Sequence, residues 1–151
     1  MKQVIGRKDK ADFPQFGFVN LRVKIDTGAY GSTIHCHYIK EVEEAGKIRL
    51  HCRLLDPSHP QYQNETSVFE DFSKKEIRNS FGKSEKRYVI QTIICLFGEE
   101  IETKFSLSER SEMKSPVLLG RKLLNGKFVV DTAKYNLSFR AKKHKKNDKK
   151  S

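Results

Sequence analysis

Apolar and polar residues alternate with a period of two in one stretch after another, and this constrains the fold of the chain more than any other feature. Between Phe18 and Ile25, Val19, Leu21, Val23 and Ile25 alternate with Asn20, Arg22 and Lys24. Such a stretch presents one apolar face as a half-buried strand, whereas a helix would scatter the same residues around its axis. Ile48, Leu50, Cys52 and Leu54 repeat the pattern with Arg49, His51 and Arg53 facing outward. Residues 87–97 form a longer β-branched and aromatic run, and after Gly98 the residues Ile101, Thr103, Phe105 and Leu107 alternate again. Residues 87–107 therefore read as a hairpin that turns at Gly98. Shorter strands are expected at 117–119, 128–130 and 137–139. Helical signals are few. Ile39, Val42 and Ala45 fit a 3.6-residue period, although 38–47 fits an alternating ribbon nearly as well, and 121–124 can form one turn after Gly120. The polar stretch 56–71 carries Pro57 and Pro60 and reads as a surface loop. Short strands separated by frequent turns make an all-β fold, a small barrel or sandwich with one or two short helices.

The chain has 151 residues, enough for one domain that buries a core without staples. No window approaches the roughly 20 apolar residues of a membrane-spanning helix. Residues 1–8 lack the apolar stretch of a signal peptide, so a cytoplasmic location with no membrane partner is expected. Cys36, Cys52 and Cys95 are odd in number and form no C-x-x-C pair, as reduced thiols acting as small hydrophobes would be. The net charge of +11 gathers partly at the end, where 141–151 holds six lysines against Asp148. This segment is expected to be a disordered basic tail outside a domain of residues 1–140, and nucleic acid is not its expected partner.

The residues richest in chemistry run from Lys24 to Thr33: Lys-Ile-Asp-Thr-Gly-Ala-Tyr-Gly-Ser-Thr. An apolar strand enters Asp26, which places a carboxylate on a rigid strand end. Gly28 lets the backbone turn sharply and approach a partner closely. Thr27 offers a hydroxyl that can lock the turn. Taken alone, Asp-x-Gly is also an ordinary turn. A second segment, Pro116-Val117-Leu118-Leu119-Gly120-Arg121, is an apolar strand followed by glycine and arginine.

Asp26-Thr27-Gly28-Ala29 followed later by Leu118-Leu119-Gly120-Arg121 resembles the retropepsin pattern of aspartic proteases. The likeness sharpens toward a retropepsin-like group that carries the label ATP-dependent zinc protease and is associated with ATP-grasp ligases of the RimK type. Its members share Ile5-Gly6-Arg7, Lys24 to Ala29, Ser32-Thr33-Ile34-His35, the stretches 77–82, 85–90 and 108–113, and Val129-Val130-Asp131. The resemblance runs from Val4 to Phe139. One departure is Tyr30, where the group usually has arginine.

The resemblance implies a closed-barrel acid-protease fold and an aspartic endopeptidase. That chemistry needs two carboxylates sharing one proton, one activating water and the other polarising the scissile carbonyl. The chain has a single Asp-Thr-Gly, so the second carboxylate would be Asp26 of another copy in a symmetric homodimer, with Thr27 bonding across the axis. Ser32, Leu119, Gly120 and Arg121 would support the catalytic turn. Ala29 would touch substrate, and a flap hairpin at 77–88 would cover it, with Asn79, Ser80, Phe81 and Gly82 at the tip and Arg87 in its stem. Arg78, Lys83, Lys86 and Arg87 make that hairpin basic, and with the ligase association this points to an acidic or glutamate-rich peptide substrate. No cofactor is expected. Zinc has only weak candidates, His35 and His37, which flank Cys36 on a strand and face away from it. Two other readings are a zinc-dependent hydrolase and a non-catalytic module that binds acidic protein or nucleic acid.

Overall fold

The computed structural model describes residues 1–78, 81–109 and 114–150, with side chains described through Lys145. Its strands are β1 (Gln3–Ile5), β2 (Lys8–Phe13), β3 (Phe18–Ile25), β4 (Ser32–Glu44), β5 (Lys47–Leu54), β6 (Ser67–Phe69), β7 (Ser73–Arg78), β8 (Ser84–Leu96), β9 (Glu99–Ser108), β10 (Val117–Leu119) and β11 (Phe128–Val130). Two helices, α1 (Arg121–Leu124) and α2 (Leu137–Lys150), complete it. Strands β3, β2, β8, β9 and β4 are neighbours in that order. The three-residue β10 pairs parallel with β3 and antiparallel with β4, so six strands close into a ring. The fold is mostly β with few short helices, as the all-β expectation requires, although β2 meets β8 through the single pair Asp12–Cys95.

Alternation along the strands fills the ring. Phe13, Leu21, Val23, Ile34, Ile90, Ile94, Phe105 and Leu119 are all essentially inaccessible to water. The Phe13 and Phe105 rings meet edge to face at 5.7 Å. Burial of each large side chain contributes about 1.5–3 kcal/mol. The predicted hairpin forms between β8 and β9, and its two turn residues, Phe97 and Gly98, both have positive φ (54° and 73°). A primed turn of this kind matches the twist of the strands it joins. Residues 38–47 form the ribbon alternative, since β4 runs through them against β5.

Three local expectations differ from the structure. Val19 is 55% exposed while Phe18 points inward. The register between β2 and β3 slips at Ala11–Phe13, and Asn20 takes a positive φ, so the alternation reverses its side there. Ile48 is 60% exposed because it sits near the tip of the β4–β5 ribbon, beyond the ring. Residues 137–139 form no strand. They are the first turn of α2, whose opening N–H groups at Ser138 and Phe139 are received by the buried Asp9 carboxylate at 2.9 and 3.1 Å. A helix start leaves such donors unpaired unless something caps them. From that docked start the helix continues to Lys150.

Asp9→Ala leaves the buried Ser138 N–H and the part-buried Phe139 and Lys10 N–H groups without that acceptor and is expected to cost about 2 kcal/mol of stability. Asp9→Asn, which keeps one acceptor, should cost less. Thermal denaturation of the pair, read against wild type, checks this ordering.

Candidate active site

The site forms where β3 leaves the ring. Ile25 still pairs within it, its N–H bonding Arg7 O at 3.0 Å, and the Asp26 N–H bonds Leu119 O at 2.9 Å. The chain then turns through Thr27 and Gly28. The Gly28 N–H donates to Asp26 Oδ1 at 3.1 Å, and the Ala29 N–H to Asp26 O at 3.2 Å. Asp26 is half-buried, while Thr27 and Gly28 are exposed. Gly28 is not among the residues with positive φ, so no left-handed turn requires glycine there. The missing side chain instead keeps the surface beside the carboxylate open.

Residues 119–122 hold this turn from behind. Arg121 donates through Nη1 to Thr27 O at 2.9 Å and through its N–H to Ala29 O at 2.9 Å. The Lys122 N–H reaches Tyr30 O at 2.8 Å, and the Gly120 N–H donates to Ser32 Oγ at 3.1 Å. A Cβ on Gly120 would overlap the carbonyl oxygens of Tyr30 and Gly31, so the two segments touch backbone to backbone. The Arg121 guanidinium also lies 5.8 Å from the centre of the Tyr30 ring. Gly6 serves a similar close approach against Lys134 O.

In front of Asp26 lies a cleft of about 820 Å³. Its walls come from the Asp26 turn, from β7 and β8, and from β9. Asp26, Ala29, Thr33, Ile77, Arg87 and Ser106 line it, so the β7–β8 hairpin stands over the carboxylate. Gly82 turns the hairpin with a φ of 77°, and Phe81 at its tip is 87% exposed. Asn79 and Ser80, also expected at the tip, lie outside the described residues. At the hairpin's base Glu41 accepts from Lys74 at 3.0 Å and from the Tyr88 hydroxyl at 3.1 Å, tying β7 and β8 to the β4 ribbon. The Lys74 hydrogen bond holds the Glu41 carboxyl below its ordinary range, and burial pushes the Tyr88 phenol up.

Lys75, Arg78, Arg87, Lys104 and Lys122 bring five cations to the cleft, against the carboxylates of Asp26 and Glu76. Arg87 pairs with Glu85 at 3.3 Å, and among the described residues its buried Nε has no hydrogen-bond partner. Lys75, Lys104 and Lys122 were not singled out from sequence. They sit on three elements: the register of β7 with β8 and of β8 with β9 brings Lys75 and Lys104 together, and the packing of α1 behind the Asp26 turn adds Lys122. The Thr33 and Ser106 hydroxyls, 3.0 Å apart on the cleft wall, were likewise missed. Polar residues within an alternating strand beside the site were the available signal.

His35 and His37 do not share a face. The register of β4 with β5 slips between Cys36 and Tyr38, which turns His37 outward against the Tyr62 ring while His35 stays buried. The His35 Nε2 faces Asp56 at 3.9 Å, and burial lowers its affinity for a proton despite that carboxylate. Burial pushes the Cys36 thiol far up and the Cys52 thiol to about 12. Among the described residues no group of three or more His, Cys, Asp or Glu side chains is placed to hold a metal ion. Among the described residues no helix is long and apolar enough to cross a membrane.

Comparison with known proteins places these features in context. A family profile described as RimB-like, retropepsin-like aspartic endopeptidase RimB, matches residues 4–141. A probable alpha-L-glutamate ligase from Shewanella pealeana is 32% identical over 134 residues, covering 86% of this chain and 28% of that protein. One from Desulfotalea psychrophila is 29% identical over 136 residues, with 87% and 28% covered. The chain thus spans little more than a quarter of the curated relatives it matches. A crystal structure of a Legionella pneumophila protein of unknown function superposes with a TM-score of 0.70 at 24% identity, covering 91% of this chain and 99% of that one, a likeness of fold.

Proposed function

The chain belongs to the RimB-like family of retropepsin-like aspartic endopeptidases, and from that premise we propose that it hydrolyses peptide bonds as a homodimer with one Asp26 from each copy. The observation that carries this reading is the half-buried Asp26 at the end of β3, hydrogen-bonded by Gly28 and facing a cleft under a hairpin. A twofold axis beside the exposed Thr27 and Gly28 would set two such carboxylates face to face. One, ionised, takes a proton from water as it attacks the scissile carbonyl. The other, protonated, donates to the developing oxyanion, and the proton taken from water passes to the leaving amine. Zinc enters none of these steps. Arg121, through Thr27 O and Ala29 O, keeps the turn in place.

The five cleft cations support an acidic peptide as substrate. The names of the relatives add a second strand of support, since an alpha-L-glutamate ligase handles glutamate chains and a RimK-type ligase is a fitting functional partner. The test is cleavage of a peptide library, with the mass of the active species followed by sedimentation. Cleavage by a species that stays monomeric would remove the shared dyad, and the absence of cleavage by a stable dimer would remove the protease. Lys75→Glu combined with Lys104→Glu is expected to raise KM for acidic peptides about tenfold, equivalent to about 1.4 kcal/mol, with kcat little changed. Equal KM values for wild type and variant would sink the acidic preference.

A further inference from the structure

The outer face of the β2–β3 pair carries an arrangement that costs stability. Lys8 stands directly opposite Lys24, and Lys10 directly opposite Arg22. Directly opposed residues of antiparallel strands share a face with their side chains in reach, and like charges there repel. Ordinary strand faces place opposite charges or neutral polar residues at such positions. Neither carboxylate of β2 relieves the repulsion. Asp9 points inward and is spent on α2, and Asp12 is taken up by Lys142 at 2.8 Å and by the Asn20 N–H at 2.8 Å. Among the described residues, none of Lys8, Lys10, Arg22 and Lys24 forms an ion pair.

The charge continues from the strands onto α2 and its approach, held there by aromatic rings. Arg7, Lys8 and Arg140 lie 4.9, 5.3 and 4.7 Å from the centre of the Tyr135 ring. Lys10 and Lys143 lie 4.3 and 4.7 Å from that of Phe139. A ring fixes the position of a cation without neutralising it. The result is a rigid surface of one sign with rings set among the charges, distinct from the cleft.

We propose that this surface binds the phosphodiester backbone of a single-stranded nucleic acid. Phosphates bring one negative charge per unit at regular spacing, which suits cations fixed on a strand face and continued along a helix. A positively charged track that follows the backbone is the part of single-strand recognition that needs no particular sequence. A second copy of the chain does not fit, because it would set cation against cation. An acidic protein segment fits less well, since the four strand cations have no apolar residue between them to anchor one.

The experiment uses the full chain carrying Asp26→Asn, a labelled twenty-residue oligouridine, the matching oligothymidine, and a glutamate peptide of equal length. Binding is followed by fluorescence anisotropy across a salt series. The expected result is oligonucleotide binding whose logarithmic salt slope reports several phosphate contacts, about 0.7 per contact. Lys10→Gln with Arg22→Gln should weaken it at least tenfold and flatten the slope, while the melting temperature stays level or rises because the repulsion is gone. Oligouridine bound more tightly than oligothymidine would identify RNA as the ligand, and the reverse would identify DNA; either supports the surface. Unchanged oligonucleotide affinity in the double variant overturns the proposal. So does glutamate peptide binding that is as tight and equally sensitive to the two substitutions, which would make the surface a dock for acidic protein.

Discussion

Asp26→Asn is expected to lower kcat by about 10³–10⁴-fold or more, the scale of a lost acid–base group, while the fold survives. Asparagine keeps an Oδ1 that can still accept from the Gly28 N–H, so the turn has no reason to open. The melting temperature should shift by no more than about 0.5 kcal/mol implies. Mixing makes the test sharper. If each dimer has one dyad built from both copies, adding Asp26→Asn protein to wild type should reduce activity with the square of the wild-type fraction once subunits exchange. A decline linear in that fraction would mean that each chain works alone. Retention of cleavage by the pure variant would mean that the catalytic group lies elsewhere.

Gly120→Ala should have the largest effect on the fold itself. Its Cβ would fall on the carbonyl oxygens of Tyr30 and Gly31, and both belong to backbone rather than to a side chain that could swing away. The Tyr30 carbonyl is also held by the Lys122 N–H, so relief requires moving the segment as a whole. The cost should exceed about 3 kcal/mol, equivalent to a fall in melting temperature of about 10 °C for a chain of this size. Because the displaced segment continues from Asp26, activity in the surviving folded fraction should fall by about 100-fold, as a misplacement near 1 Å produces. Gly31→Ala is the control. Nothing stands within 4 Å of its added Cβ and its φ is unexceptional, so it should be nearly silent. Equal stability of the two variants would refute the close approach.

Much of this architecture could be read from residue order. Alternation exposed β3, β5 and β9, because a strand with one face in the core must carry its apolar residues two apart. The β8–β9 turn was legible because Gly98 suits positive φ, while the neighbouring Phe97 adopting it was not. Three features escaped, two of them for the same physical reason. A register slip at Ala11–Phe13 and another at Cys36–Tyr38 reverse the side on which later residues fall, and alternation carries no mark of an extra residue. Residues 137–139 are apolar enough for a strand, but the partner that makes them helical is Asp9, more than a hundred positions away.

The site divides in the same way. Asp26, Thr27 and Gly28 announce a turn by their own chemistry, and Gly120 and Arg121 announce a companion segment, which the structure sets directly behind that turn. The cations of the cleft and the opposed pairs of β2 and β3 are properties of pairing. No local window contains both Lys10 and Arg22 as neighbours, or Lys75 and Lys104.

The shortest strand of the ring is also the one that completes it. β10 has three residues, joins β3 to β4, and hands the chain to the glycine that backs the Asp26 turn. Scaffold integrity and the order of that turn are therefore one cooperative unit: the turn cannot loosen without unzipping the ring of strands. Any motion that opens the cleft must fall to the β7–β8 hairpin, which is tied to the ribbon at its base and does not pair with β10.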